Sequence, residues 1–176
     1  FCLDFSGSMY GQGFSELTNA MDYILDYEKA SKDSLQFSKK DKITIITFSD
    51  TVTNIWNTSS GLETSTLIKN IKNTSPSGST ALYDAIIEGL GILNKESDDY
   101  TKTIIAMTDG MINIGSFNTL SSYYKKLEKE IPVYSITFGS AEEYELEQIA
   151  DLTNAYKRAG ITNDNAIRML VSQDAL

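Results

Sequence analysis

The chain contains no histidine. That absence removes every Ser-His-Asp or Cys-His mechanism from within it, together with zinc sites built on imidazole. Cysteine is almost missing as well: Cys2 is the only one, so no internal disulfide can form. It lies in an apolar run expected to be a buried strand, which makes it an inert core thiol and not a nucleophile. No apolar stretch approaches the roughly 20 residues needed to cross a bilayer, so direct membrane insertion of this segment is not expected. Positive charge is scarce, with 15 Lys and Arg against 24 Asp and Glu and a net charge of -9. Nucleic acid and anionic membrane surfaces both demand clustered Lys and Arg, so neither is expected as the main partner. The nearest basic cluster, Lys39, Lys40 and Lys42, is interrupted by Asp41 and reads as a solvated loop.

What remains is ordinary for a folded domain: 41% hydrophobic and 22% charged residues over 176 positions, enough for one substantial core. The chain opens at Phe1 inside an apolar run, and residues 1–176 are read as a single domain cut from a longer protein. Without histidine, a metal ion here must be held by oxygen, which points to Mg²⁺, Ca²⁺ or Mn²⁺.

Three continuous apolar runs read as strands buried on both faces: Ile43 to Phe48, Thr103 to Met107 and Val133 to Phe138. Phe1-Cys2-Leu3 is expected to be the tail of a fourth. Val52 to Trp56 alternates and is expected to pair with the second strand through Ser49-Asp50-Thr51. A last short strand is expected around Ala155 to Lys157. Between the runs the apolar spacing turns helical, predicting helices from Phe14 to about Ala30, Leu62 to Ile71, Leu82 to Leu93, Leu120 to Leu127, Tyr144 to Leu152 and Asp164 to Val171. Alternation of this kind predicts a doubly wound, Rossmann-like α/β domain. Its central sheet is mostly parallel, with helices on both faces and one short antiparallel edge strand.

Ligands of such sheets sit beyond the carboxyl ends of the strands. Three loops there are unusually polar: Asp4-Phe5-Ser6-Gly7-Ser8-Met9, Ser77-Gly78-Ser79-Thr80 and Thr108-Asp109-Gly110. One at a time they have plain explanations. Ser6, Ser8, Ser79 or Thr80 can cap helices, each worth about 1 kcal/mol, and Asp109-Gly110 can be a tight turn. Together they ask for more, because Asp4 and Asp109 both end strands and would bring two carboxylates close in a poorly solvated cleft. A divalent cation removes that repulsion, and three hydroxyls complete a hard oxygen shell.

The pattern Asp4-x-Ser6-x-Ser8, followed by a distant Thr80 and a distant Asp109, resembles the metal ion-dependent adhesion site (MIDAS) of von Willebrand factor A domains. The resemblance extends over about the whole chain and matches all five positions. It implies that Ser6, Ser8 and Thr80 ligate the ion directly, while Asp4 and Asp109 act partly through bound waters. One coordination position is then left for a carboxylate from a partner. Mg²⁺ suits such a site through its demand for near-octahedral oxygen geometry, with Mn²⁺ or Ca²⁺ as substitutes. Gly7 and Gly110 would let the backbone turn closely around the ion. Asp84, four residues after Thr80, would either fix the serine loop from behind or be a simple exposed acid.

The function expected from these residues is a metal-dependent binding module whose Mg²⁺ captures a Glu or Asp of a protein partner. Two other readings stand beside it. One is a scaffold domain with a vestigial metal site. The other is a metal-assisted hydrolase, which lacks a histidine, a GxxxxGK[ST] phosphate loop and any obvious general base. Few cysteines and many Lys, Asn, Ile and Tyr give a composition of bacterial type. The chain is read as an extracytoplasmic or surface-attached part of its parent protein.

Overall fold

The computed structural model describes residues 1–138 and 143–156. Five strands form one sheet: β1 (Cys2–Asp4), β2 (Ile43–Phe48), β3 (Val52–Thr58), β4 (Ile104–Thr108) and β5 (Val133–Thr137), in the order β3-β2-β1-β4-β5. Among the described residues only the β2–β3 pair is antiparallel, through the tight turn after Phe48; the other three pairs are parallel. The continuous apolar runs have a direct cause. Side chains alternate across a strand, and both faces of this sheet are covered. Ile43 and Ile45 enter one core with Leu3 and Met107, while Ile46 and Phe48 enter the other with Cys2, Ile104 and Ala106.

Helices α1 (Gln12–Leu25) and α3 (Ser65–Lys72) cover the first face through Leu17, Met21, Leu25, Leu67 and Ile71. Helices α4 (Leu82–Lys95), α5 (Phe117–Tyr124) and α6 (Glu143–Leu152) cover the second through Leu82, Ile86, Leu90, Leu120, Leu146 and Ile149. Each fully buried side chain of this size contributes about 1.5–3 kcal/mol. No helix among the described residues is long and apolar enough to cross a membrane.

The expected architecture is the one formed, with local differences. The helix expected to run from Phe14 to Ala30 is two: α1 ends at Leu25, and the single turn α2 (Tyr27–Ala30) follows. Asp26 causes the break. Its backbone is extended, and its carboxylate caps the new turn by accepting the N–H of Glu28 and Lys29 at 3.0 and 3.1 Å. Similarly, α5 begins after its N-cap Ser116, whose hydroxyl accepts the Thr119 N–H, and it ends at Tyr124, before Leu127. No strand forms at Ala155 and Tyr156, which are helical; Lys157 and the helix expected over Asp164 to Val171 lie outside the described residues. Cys2 is buried and desolvation pushes its thiol up to about 11, as suits an inert core residue.

What the topology does for function is set by β1. It lies in the middle, with β2 on one side and β4 on the other, so the chain winds away from it in both directions. The crevice beyond the carboxyl ends of β1 and β4 is the switch point of the sheet, where this class of fold binds ligands.

Candidate metal centre

Asp4 is the last residue of β1 and is fully buried. One carboxylate oxygen, Oδ1, accepts the Ser6 N–H at 2.8 Å, and Oδ2 accepts the Thr108 hydroxyl at 2.6 Å. Burial pushes its pKa above the ordinary carboxylate range, and the charge of Asp109 adds to that push. The hydrogen bonds from Ser6 and Thr108 oppose it. No Lys or Arg among the described residues pairs with Asp4, which therefore sits as a desolvated acid beside a second one.

The loop after Asp4 turns through a short 3₁₀ segment at Gly7–Met9, with Ser6 buried and Ser8 exposed. Their hydroxyl oxygens are 3.0 Å apart. The loop carrying Thr80 is stitched to this one by two backbone bonds, Gly7 N–H to Gly78 O and Ser77 N–H to Phe5 O, both 2.8 Å. A side chain on Gly7 would meet the Gly78 carbonyl at 3.2 Å, so the glycine permits the approach. Gly110, after Asp109, turns at φ 79°, a conformation that favours glycine. Asp109 itself is half-buried, and its Oδ1 lies 3.5 Å from the Met111 N–H.

The capping explanation for the hydroxyls does not hold. Ser6 precedes the 3₁₀ segment without a side-chain cap bond, and α4 begins after Ala81, also without one. Thr80 is buried, yet its hydroxyl has no protein partner among the described residues. Asp26 and Ser116, by contrast, do cap their helices. None of the three hydroxyls caps a helix: those of Ser6 and Ser8 bond each other, and that of Thr80 has no protein partner among the described residues.

Asp84 does not take the part of a support for the serine loop. It is exposed in the first turn of α4, and its side chain makes no hydrogen bond among the described residues. The supports lie elsewhere, at residues to which no such role is assigned from the sequence. Thr108 holds Asp4 and also accepts the Gly110 N–H at 3.0 Å. Asp50 accepts the Ser79 N–H at 2.6 Å. Asn113 accepts the Thr80 N–H at 2.8 Å. Thr108 carried a signal, as a hydroxyl ending an apolar strand beside an acid; Asp50 and Asn113 looked like ordinary loop residues.

Among the described residues no group of three or more Cys, Asp and Glu side chains is placed to hold a metal. An ion here therefore depends on hydroxyls as well as on the two acids. The donors present are hard and all oxygen, and they set a buried acid, Asp4, beside a half-buried one, Asp109. They fit a hard divalent cation.

Fold and site together define a doubly wound domain with a carboxylate-and-hydroxyl cluster at its switch point. The chain belongs to the von Willebrand factor type A domain family, whose sequence profile matches residues 1–172. It is similar to inter-alpha-trypsin inhibitor heavy chain H3 of Mus musculus, at 29% identity over 174 residues and 88% of this chain. The chain spans only 18% of the length of that relative. Among solved structures it resembles proximal thread matrix protein 1 of the mussel byssus with a zinc-occupied MIDAS motif. That match has a TM-score of 0.62 and 23% identity, covering 85% of this chain and 38% of the other. It also resembles the manganese-loaded TRAP protein of Plasmodium vivax, with a TM-score of 0.58, 20% identity and coverage of 85% and 60%. At these identities the structural likeness establishes the fold.

Proposed function

We propose that this domain is a metal-dependent protein-binding module. Asp4, Ser6, Ser8, Thr80 and Asp109 hold Mg²⁺, which Mn²⁺ or Ca²⁺ can replace. The observation that carries the reading is the buried Asp4 carboxylate. It has no basic partner among the described residues, feels the charge of Asp109, and stands next to hydroxyls that cap nothing. The zinc-occupied motif of the mussel protein and the manganese-loaded state of Plasmodium vivax TRAP support a divalent ion in this fold.

When bound, the ion supplies a Lewis-acidic position at which a Glu or Asp carboxylate of a partner is held. Two acids balance its charge, and the serine and threonine hydroxyls add none, so the site accepts one further anion. The net charge of -9 repels a strongly acidic protein, so the partner should present an isolated acid within a neutral or basic surface. A single such contact gives little affinity, and a surrounding interface must contribute. Catalysis is not proposed, because the crevice offers acids and hydroxyls without a positioned base.

Calorimetry and thermal unfolding test the reading. At about 100 Kd of Mg²⁺ the fold should gain about 2.7 kcal/mol, or about 5–11 °C in midpoint for a chain of this length. Asp109→Ala should fold yet lose both the heat of binding and the shift. A wild-type protein that shows neither with millimolar Mg²⁺ and Mn²⁺ refutes the metal centre. Metal-dependent turnover of a phosphoester, lost in Asp4→Ala, refutes the binding-module reading.

A further inference from the structure

The loop between β4 and α5 carries Asp109 at its start and then folds back onto the Thr80 loop. Its anchor is Asn113. The side-chain oxygen of Asn113 accepts the Thr80 N–H at 2.8 Å, while the backbone N–H groups of Asn113 and Ile114 donate to the Thr80 carbonyl at 3.3 and 3.2 Å. Both backbone polar groups of Thr80 are therefore bonded to one short stretch of the neighbouring loop. Thr80 needs them, because it lies just outside the hydrogen-bond ladder of α4, which starts at Leu82. Asn113 is exposed, so core packing does not explain its side chain.

Thr80 is buried while its hydroxyl has no protein partner among the described residues. The orientation of that hydroxyl follows from its backbone, and the backbone is held by Asn113. We infer that Asn113 is a positioning residue for the metal centre: it clasps the Thr80 loop to the Asp109 turn, so that the two donors are presented as one preformed unit. This rests on the metal reading above. Its physical basis is that groups outside the ligand shell fix the geometry of ligands, and that their loss typically weakens metal affinity by 10–100-fold.

The test uses the 176-residue chain with Asn113→Ala and Asn113→Asp, Mn²⁺ as the probe, and amide hydrogen exchange of Thr80 in EDTA as a readout that needs no metal. Asn113→Ala should speed Thr80 exchange and weaken Mn²⁺ binding by at least about tenfold. Asn113→Asp keeps an acceptor oxygen at the same place and should restore slow exchange, with Mn²⁺ affinity equal to or tighter than wild type. A purely structural role would lower the unfolding midpoint of Asn113→Ala and leave its Mn²⁺ affinity, measured well below that midpoint, unchanged. Wild-type affinity in Asn113→Ala, or failure of Asn113→Asp to restore it, overturns the inference while the metal centre stands. A wild-type chain that binds no Mn²⁺ overturns the metal centre and this inference with it.

Discussion

Replacing Asp4 by Asn should stabilise the metal-free protein near neutral pH while abolishing its response to metal. Asp4 is fully buried, and burial, reinforced by the charge of Asp109, holds its folded pKa above the ordinary 3.8. An acid whose pKa is raised on folding costs nothing below its unfolded value. It removes stability progressively as pH rises from about 3.8 through the folded pKa, and the full penalty persists above that. Asn has the same shape, can still accept the Ser6 N–H, and carries no charge. A buried group short of partners costs about 1–3 kcal/mol, and Asp4 keeps two hydrogen bonds, so a gain on the order of 1 kcal/mol is expected at pH 7. That is about 2–4 °C in midpoint for a chain of this length. Unfolding curves of both proteins in EDTA from pH 3.5 to 8 should converge at the acid end and separate as pH rises. With Mg²⁺ at about 100 Kd the order should reverse, because only the wild type gains from the ion. If Asp4→Asn is the less stable protein in EDTA at pH 7, or if the difference does not change with pH, Asp4 is not the desolvated acid described above.

Two further substitutions probe the supports of the site. Thr108→Val keeps the shape of a buried side chain but removes the donor to Asp4 and the acceptor for the Gly110 N–H. It should cost about 1–3 kcal/mol in denaturant unfolding without metal; a loss below about 0.5 kcal/mol, the ordinary range of a surface change, would show that neither bond matters. Gly78→Ala places a methyl group 2.7–2.9 Å from the Asp50 carboxylate in a backbone conformation of φ 80°. It should destabilise the fold by about 1–2 kcal/mol and weaken Mn²⁺ binding, because Ser79 and Thr80 must shift; unchanged calorimetric affinity would separate this turn from the site.

The parts of this protein that were legible in its sequence are those whose signal is carried by residue type in a regular pattern. β2 and β4 stand out because a strand buried on both faces must be apolar at every position, and Ile43 to Phe48 and Ile104 to Met107 nearly are. The break at Asp26 was not legible. Apolar spacing continues from Leu25 to Ala30, and one carboxylate choosing to cap a new turn overrides it without altering the pattern. The same division runs through the site. Acids and hydroxyls at strand ends mark the three polar loops, and the resemblance to the metal ion-dependent adhesion site picks out Asp4, Ser6, Ser8, Thr80 and Asp109 within them as the proposed ligands. The side chains of Asn113, Asp50 and Thr108 each reach a partner far off in the chain, 33, 29 and 104 residues away. An exposed Asn or Asp in a polar loop is compatible with any turn, so nothing in its own neighbourhood reports a distant backbone N–H. The consequence is asymmetric: residue types can nominate the ligands of an oxygen-rich metal site. The long-range hydrogen bonds proposed to hold those residues as one set are revealed only by the fold.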